Sequence, residues 1–475
     1  MTIRKLITSL ASCVASLGFV ANGLAAEAFT KPAKISLDEN GALVVDGKKI
    51  FPVNLTVVPG LDAKSPSGKP AYAEFADCGI FSLRTGGPNF NAETIAKEKA
   101  RQEAAAVNGL RCSPWLGWEL SNFDPSNKER EAELKKIIDM FKGSPGMGMW
   151  KGADEPEWGN SHDAKKSTPE QVVNVAKIIH ANDPNHPIWL VQAPRGTVSS
   201  LKRYNAGWDV GGIDIYPISY PPGVHSEERN KEISMVGDFT RTMREVAGKK
   251  PLWMTLQIAF SGTTKRGAVL RMPTFSEQRF MAYEAIINGS RGLTYFGGSL
   301  PSTLNKRDKA LGFNWTYFDK VMRPLLSEIG PKSPILEVLL SADSQIKVTL
   351  APENPPKRQR ATKEQEQTKT PTSPKEFVQD TTSTDTRAIE FLVREVGDDV
   401  YVLACKKEGP TIRVCFNGLP TDLKSGAVIF EEPRTVEIKD GSFADWFAPF
   451  DVHVYKLSRK ANRGRLAFGA IEPQL

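Results

Sequence analysis

The sequence predicts an α/β protein, a (β/α)8 TIM barrel followed by an all-β antiparallel sandwich domain. Eight short apolar runs recur through the first two thirds of the 475 residues, with stretches of helical composition between them. After Gly330 the pattern changes to short alternating runs. Eight strands that alternate with helices over roughly 290 residues fit a barrel, usually about 250 residues long, better than a doubly wound sheet.

The eight runs are apolar nearly throughout, as strands covered on both faces should be. They occupy residues 51–59, 79–85, 109–118, 147–155, 187–194, 210–217, 251–259 and 292–298. Helices are predicted over residues 92–108, 127–142, 168–182, 198–204, 227–247 and 274–288. We assign the barrel domain to residues 44–332.

The second domain is predicted over residues 333–460, with a tail at 461–475. Its alternating runs, separated by turn residues, indicate an antiparallel β-sandwich. Residues 352–387 are dense in Pro, Thr, Lys, Glu and Gln and nearly without apolar residues. This composition predicts a disordered insertion in the sandwich.

The first 26 residues have the layout of a signal peptide. Arg4 and Lys5 precede an apolar stretch over residues 6–24, and small residues follow around Ala26. We therefore expect an exported protein, periplasmic or extracellular. A lipoprotein-type cleavage box that ends at Cys13 leaves a lipid anchor as an alternative. No other run is long and apolar enough to predict a transmembrane segment.

The net charge of +7 is small for this length, and the basic residues are dispersed. A nucleic-acid-binding protein would normally show a concentrated basic face, so we expect no nucleic-acid partner. The histidines and cysteines show no metal-ligand spacing, and we expect neither a metal nor a cofactor. Cys78 with Cys112 and Cys405 with Cys415 can form disulfides in an exported chain, or all four can be buried thiols.

In barrels of this type the active site lies at the C-terminal ends of the strands. Those ends carry carboxylates, amides and aromatic residues. Sugar binding uses this mixture, because aromatic faces stack on pyranose rings while amides and carboxylates bind hydroxyls. We predict a carbohydrate substrate, with contacts from Arg84, Trp115, Trp118, Asp154, Gln192, Tyr216, Gln257 and Tyr295.

Glu155 and Asp214 are the predicted catalytic residues. Glu155 ends the fourth run before a proline, and a nearby tryptophan can raise its pKa for general-acid work. The alternative is a structural carboxylate that caps a helix or pairs with Arg84. If Glu155 faces the cleft, Asp154 should point away from it along the strand. Asp214 ends the sixth run, where the alternatives are a substrate-hydroxyl ligand and a structural hydrogen bond.

The chain resembles the clan A TIM-barrel glycoside hydrolases, in particular secreted bacterial members with a C-terminal β-sandwich. The resemblance rests on Asp-Glu-Pro at the fourth strand, on Trp253-Met-Thr-Leu-Gln257, and on residues 283–296 and 441–455. It implies a glycosidase that acts on a poly- or oligosaccharide, with Glu155 as the acid/base. Asp154 stands where Asn is usual, and Arg84 matches the arginine that supports the nucleophile.

The family pattern fails at strand seven, which should end in a nucleophilic Glu and ends in Gln257. A neutral amide cannot form the covalent glycosyl-enzyme. The nucleophile can instead be Asp214 or Glu277, although Glu277 also reads as part of a helix capping box with Thr274. Inversion by Glu155 and Asp214 would need carboxyls about 6.5–9.5 Å apart rather than about 5–5.5 Å. The remaining alternatives are assistance by a group of the substrate, and a barrel that only binds carbohydrate.

Overall fold

The computed structural model describes residues 28–158, 167–226, 229–259, 261–262, 271–297, 300, 305–353 and 384–459. The predicted signal peptide, the Cys13 anchor and the predicted tail therefore lie outside the described residues. The same holds for most of the predicted disordered insertion.

Three short strands precede the barrel and form an antiparallel sheet: β1 (Ile35–Leu37), β2 (Leu43–Val45) and β3 (Lys48–Ile50). Ile35 and Leu43 pack in one apolar cluster with Val210 and Trp253, which begin two of the barrel strands. The sheet therefore covers the end of the barrel where the strands begin, opposite the end where they finish.

Eight parallel strands close the barrel, as the sequence predicts. The strands that follow β3 are β4 (Val53–Leu55), β5 (Ser82–Gly86), β6 (Arg111–Trp115), β7 (Trp150–Asp154), β8 (Ile188–Gln192), β9 (Val210–Ile215), β10 (Ser219–Tyr220), β11 (Trp253–Gln257), β12 (Ser261–Gly262) and β13 (Gly292–Phe296). The two shortest, β10 and β12, pair with each other outside the barrel. Each of the other eight lies within one of the predicted runs, apart from one residue at the end of β5.

The helices are α1 (Ala71–Asp77), α2 (Ala92–Val107), α3 (Gly117–Leu120), α4 (Lys128–Phe141), α5 (Pro169–Asn182), α6 (Val198–Lys202), α7 (Met235–Ala247), α8 (Phe275–Ile287), α9 (Lys306–Leu311), α10 (Trp315–Tyr317), α11 (Arg323–Ile329) and α12 (Leu336–Leu340). Side-chain caps fix several of their starts, because an oxygen of Asn91, Thr168 or Thr274 accepts a backbone N–H of the first turn. The predicted helix at 227–247 begins only at Met235.

Small polar side chains hydrogen-bond across the middle of the barrel. Ser82 Oγ donates to Asn54 Oδ1 at 2.7 Å and lies 3.0 Å from Ser113 Oγ, and Asn54 Nδ2 donates to Thr294 Oγ1 at 3.3 Å. These residues come from four different strands. Their small size leaves room above them for the larger side chains at the strand ends.

The second domain is an antiparallel β-sandwich, as predicted. Its strands are β14 (Thr349–Pro352), β15 (Ile389–Val396), β16 (Asp399–Lys406), β17 (Ile412–Asn417), β18 (Ser425–Ile429), β19 (Arg434–Val436), β20 (Ser442–Phe447) and β21 (Val452–Ser458). One sheet has the order β14-β17-β20 and the other β15-β16-β21-β18-β19. Their inner faces share an apolar core that includes Val400, Phe416, Phe443 and Tyr455.

Helix α8 joins the two domains. Arg279 Nε donates to both carboxylate oxygens of Glu328 at 2.8–2.9 Å, and its Nη1 donates to the carbonyl of Val452 at 2.7 Å. The rings of Phe280 and Phe450 lie 5.1 Å apart. Helix α8 therefore makes both polar and apolar contacts with the sandwich.

Glu284, on the same helix, is fully buried. Neither of its carboxylate oxygens has a hydrogen-bond partner among the described residues. Burial raises its pKa well above the ordinary value, and the nearby carboxylate of Glu390 raises it further. Lys407 and Arg241 act in the opposite direction without cancelling the effect. Glu284 therefore keeps its proton to a higher pH than an ordinary glutamate does.

The four described cysteines are free thiols. Burial raises the pKa of Cys78 to about 12 and the pKa values of Cys112 and Cys405 well above the ordinary value. These thiols are thus poor nucleophiles. Separately, no helix within the described ranges is both long and apolar enough to cross a bilayer.

Replacement of Glu284 by Gln is expected to stabilise the protein at pH 7 by about 1–3 kcal/mol. Glu in an unfolded chain has a pKa of about 4.3, so above that pH the unfolded state ionises while the folded state keeps its proton, and folding is penalised. The gain should disappear as the pH falls to about 4. Urea unfolding of the wild type and of Glu284→Gln at pH 7 and pH 4 measures this difference in the free energy of unfolding.

Glu277→Gln, on the same helix, is the matched control. Burial acts to raise the pKa of Glu277, but its bonds to Arg271 and Thr274 outweigh burial and lower it. This replacement should therefore cost up to about 1 kcal/mol at pH 7. An equal or greater loss of stability in Glu284→Gln at pH 7 would contradict a raised pKa of Glu284.

Candidate active site

The barrel strands end around a cavity of about 230 Å³. Both predicted catalytic residues line it, together with side chains from most of the strand ends. The lining residues are Thr56, Arg84, Lys151, Asp154, Glu155, Trp189, Val191, Asp214, Tyr216, His225, Thr255 and Phe296. The cavity thus lies where the sequence places the active site.

The end of β7 is irregular. The pairing of β7 with β8 shifts register between Lys151 and Asp154, which is the mark of a β-bulge. Glu155 then takes a left-handed backbone conformation with φ of 48°, which is strained for a residue other than glycine. Its N–H donates to the carbonyl of Val191 at 2.8 Å. Strand alternation stops here, so Asp154 and Glu155 both line the cavity, and the expectation that Asp154 points away is wrong.

Glu155 and Asp214 are hydrogen-bonded to each other. Burial raises the pKa of both carboxyls, and the charge of Asp154 adds to the rise in each. The charge of Glu155 raises the pKa of Asp214 further, whereas the hydrogen bond from Asp214 acts to lower the pKa of Glu155. Asp214 is only 6% exposed, and the Tyr216 hydroxyl acts to lower its pKa without cancelling the rise. The pair therefore holds a proton above the pH at which ordinary carboxyls are ionised, with Asp214 as donor and Glu155 as acceptor.

This contact bears on the mechanisms left open by the sequence. Carboxyls in direct hydrogen-bond contact are closer than the about 5–5.5 Å of retaining enzymes or the about 6.5–9.5 Å of inverting enzymes. In this arrangement, Asp214 has neither the spacing of a nucleophile nor that of an inverting base.

Asp154 is the ionised carboxylate of the cavity. Its oxygens lie 2.9 Å from Lys151 Nζ and 3.8 Å from Arg84 Nη1. Burial acts to raise the pKa of Asp154, but the two cations outweigh burial and lower it. The proposed pairing of Arg84 with Glu155 is corrected, because the guanidinium contacts Asp154 instead.

Lys151 is fully buried, and burial lowers its pKa. Besides Asp154, its ammonium donates to the carbonyls of Gly152 at 3.2 Å and Ala153 at 2.9 Å. These carbonyls belong to the bulge. One side chain therefore neutralises Asp154 and fixes the irregular backbone that presents Glu155.

Gln257 lies at the end of β11, as predicted, but it does not line the cavity. Its Oε1 accepts from the N–H of Ile218 at 2.9 Å, and its Nε2 donates to the carbonyls of Ile218 and Ala259. All three bonds go to backbone groups, and the side chain is fully buried. The predicted substrate contact is corrected: Gln257 ties the loop after β9 to β11.

Two other predicted contacts differ by one position from the residues that line the cavity. Val191 rather than Gln192, and Phe296 rather than Tyr295, line it. Successive side chains on a barrel strand face opposite sides, so the buried Gln192 and Tyr295 face away from the cavity. Gln192 Oε1 accepts from the N–H of Glu157, in the loop after β7, at 3.4 Å. Tyr295 accordingly packs in a large apolar core cluster, and its hydroxyl has no hydrogen-bond partner among the described residues.

The predicted aromatic contacts divide between the cavity and its rim. Tyr216 lines the cavity, stacked on Phe296 with 5.1 Å between ring centroids. Trp115 is buried, with the Arg84 guanidinium 5.0 Å from its ring and Trp118 packed edge-on at 4.6 Å. Trp118, 36% exposed, lies at the rim. Neither tryptophan lines the cavity itself.

A second cavity of about 270 Å³ adjoins the first and shares Glu155 and His225 with it. It is also lined by Trp158 and by Arg195, whose guanidinium lies 4.2 Å from the Trp158 ring. Burial and the charge of Arg195 lower the pKa of His225 to about 4. His225 is thus neutral at pH 7, with Nε2 3.9 Å from Asp214.

Sequence reasoning missed Lys151, Trp189, His225, Thr255 and Phe296. Lys151 carried a usable signal, because a charge inside a strand covered on both faces must have a buried partner. His225 lies in the loop after β9 and has no such signal. Within the described part of the chain, no group of three or more His, Cys, Asp or Glu side chains is placed to hold a metal ion.

Glu277 is explained by local structure. It completes a capping box with Thr274, and both of its carboxylate oxygens accept from Arg271 at 2.7 Å. It does not line the cavity with Glu155. The capping-box interpretation is confirmed, and the nucleophile interpretation loses its support.

No protein-family model matches this sequence, and no curated protein sequence is similar to it. Solved structures share its fold. A glycoside hydrolase has a TM-score of 0.58 and 14% identity over 90% of this chain and 96% of its own. A family 5 glycoside hydrolase from Bacteroides vulgatus has a TM-score of 0.59 and 14% identity, over 90% and 93%. An α-amylase from Geobacillus thermoleovorans has 0.52 and 12%, over 90% and 100%. The chain therefore has the barrel fold of glycoside hydrolases.

Asp214→Asn and Asp154→Asn are expected to change stability in opposite directions. The pKa of Asp214 is raised in the folded state. Above about pH 3.9 the unfolded chain ionises at this residue more readily than the folded protein, which penalises folding. Asp214→Asn should therefore raise the free energy of unfolding by about 1–3 kcal/mol at pH 8 and by less at pH 5. Asp154 has a lowered folded pKa, so its ion pairs stabilise the fold above about pH 4, and Asn should cost about 1–4 kcal/mol at either pH. Urea unfolding at pH 5 and pH 8 measures both, and a shift of the same sign in the two variants would refute the assignment.

Proposed function

We propose that this protein is an exported glycosidase that hydrolyses a poly- or oligosaccharide, with Glu155 as the general acid/base. One observation carries the proposal. Glu155 lies at the C-terminal end of a barrel strand and shares a proton with Asp214, in a cavity that also holds the ionised Asp154. Titratable groups whose environments push their pKa values apart are the usual sign of acid/base chemistry.

The charges suit glycoside cleavage. A carboxyl with a raised pKa stays protonated to a higher pH than an ordinary carboxyl and can give its proton to the leaving oxygen. Asp214, hydrogen-bonded to Glu155, keeps a proton within its reach. The transition state carries positive charge near the anomeric carbon, and the fixed negative charge of Asp154 favours such a charge in a cavity of low polarity.

The walls of the cavity also suit a sugar. Trp189, Tyr216 and Phe296 supply aromatic surface beside charged and hydroxyl groups. The volume of about 230 Å³ is below the range of about 300–1,000 Å³ that is usual for ligand sites. The cavity beside Trp158 continues on from Glu155, so a longer glycan has room next to the acid.

A carbohydrate-binding barrel without turnover is the second candidate. The observation that favours it is Gln257, which stands at the expected nucleophile position and uses its amide on backbone groups. Binding alone would need the same cavity walls and no second carboxyl at catalytic distance.

Export is part of the proposal and is supported by the N-terminal sequence pattern. If it is correct, protein produced in a bacterial host should appear outside the cytoplasm without its first residues. Mass measurement of the exported protein would give the cleavage position and would separate cleavage near Ala26 from lipidation at Cys13.

Wild-type protein is expected to hydrolyse at least one member of a broad panel of plant, algal and microbial glycans. Glu155→Gln should lower kcat by about 100- to 10,000-fold, because the amide cannot transfer the proton, and should retain glycan binding. Reducing-end release and binding are followed in parallel on the same panel.

Glu277→Gln is the control and should keep wild-type activity, because Glu277 does not line the cavity. Equal loss of activity in both variants would point to a general effect of Glu-to-Gln changes. Glycan binding without turnover by the wild type, on a panel that contains the bound glycan, would replace the glycosidase proposal with the binding protein.

A further inference from the structure

None of the three carboxyls in the cavity is placed to act as the nucleophile of a double displacement. Glu155 and Asp214 are in contact and share a proton, whereas a nucleophile should stand about 5–5.5 Å from the acid. Strand β11 contributes Thr255 to the cavity, and Gln257 is engaged by the backbone. Only Asp154 is held ionised.

Asp154 is positioned to stabilise a positive charge or an N–H group of the substrate rather than to attack the anomeric carbon. It precedes Glu155 on the same strand end, and Lys151 at 2.9 Å and Arg84 at 3.8 Å restrain it from two sides. Bond formation at C1 would neutralise the charge that both cations stabilise, so attack by Asp154 would weaken both ion pairs. Asp154 is well suited to accept a hydrogen bond from an N–H group.

Apolar surface lies directly beside this carboxylate. Asp154 pairs in register with Val191 of β8, and Val191 and Trp189 both line the cavity and are almost fully buried. Tyr216, stacked on Phe296, forms another part of the wall. The cavity thus offers an N–H acceptor next to a surface that fits a small methyl group.

We infer that the sugar bound in the cavity is a 2-acetamido sugar, whose own acetamido oxygen replaces the missing nucleophile. Asp154 accepts the hydrogen bond of the acetamido N–H, and Trp189 and Val191 cover the methyl group. Glu155 remains the acid/base. Lys151 and Arg84 are positioning residues that hold Asp154. The inference rests on the proposed glycosidase function and names its substrate class.

The reaction balances without a further reactant. Glu155 takes the proton it shares with Asp214 and gives it to the glycosidic oxygen as the bond from that oxygen to C1 breaks, and the acetamido carbonyl oxygen bonds to C1. The resulting five-membered oxazolinium ring carries its positive charge next to Asp154. Water then attacks C1, Glu155 takes the water proton, and the bond from C1 to the acetamido oxygen breaks to restore the amide. One water is consumed, and the configuration at C1 is retained.

The test compares wild-type hydrolysis of matched aryl glycosides that differ only at C2, with acetamido or hydroxyl, in both the gluco and the galacto series and with the leaving group trans to C2. The acetamido member of at least one pair is expected to have a kcat/KM at least about 100-fold higher. Successive fluorination of the acetamido methyl should lower kcat step by step, because it weakens the attacking oxygen. This series needs no variant and so does not depend on how a mutant folds.

Asp154→Asn provides the second readout. It should lower kcat on the acetamido substrate by about 100-fold or more while KM changes little, and its folded state is checked by circular dichroism. Equal hydrolysis of hydroxyl and acetamido substrates, or insensitivity to fluorination, would overturn the acetamido inference and leave the glycosidase intact. Absence of turnover on every glycoside and on the broad glycan panel would instead refute the glycosidase proposal, and the inference with it.

Discussion

The buried ion pair between Lys151 and Asp154 is the interaction on which the candidate site depends. An unpaired charge inside a barrel is costly, so a buried ammonium must find a carboxylate and further acceptors. Lys151 finds Asp154 and the two carbonyls of the bulge. Those bonds interrupt strand alternation, and the next residue, Glu155, enters the cavity from a left-handed backbone.

The same cavity holds carboxyls in opposite states, and the balance between burial and pairing explains why. Burial favours the protonated form of all three. Two contacting cations outweigh it for Asp154. For Glu155 and Asp214 the largest charge effects come from neighbouring carboxylates, so burial and repulsion act together. An ionised group beside a pair that holds a proton is an arrangement suited to acid/base chemistry. The backbone strain at Glu155 and the repulsion among the carboxyls reduce stability and serve no structural purpose, which favours a functional role.

Gln257 occupies the strand end where a nucleophilic carboxylate is expected, but its amide serves a structural role. Its amide both donates and accepts, so it satisfies the backbone of Ile218 on both sides and the carbonyl of Ala259. A carboxylate could accept from Ile218 N–H but could not donate to two carbonyls. The conformation of the loop at Ile218 therefore requires a neutral amide at position 257, and the catalytic groups must come from the other strands.

The sequence by itself determined the eight barrel strands, the sandwich and the end of the barrel where the site lies. Apolar runs of strand length and their alternation with helices are local properties, and strand ends of a closed barrel must meet. It also identified Glu155, Asp214, Arg84 and Tyr216. Only the tertiary structure decided that Asp154 faces inward, since a bulge depends on pairing with a neighbouring strand. It alone brought His225 from a loop to Asp214, because contacts between residues on different elements depend on how the whole chain packs.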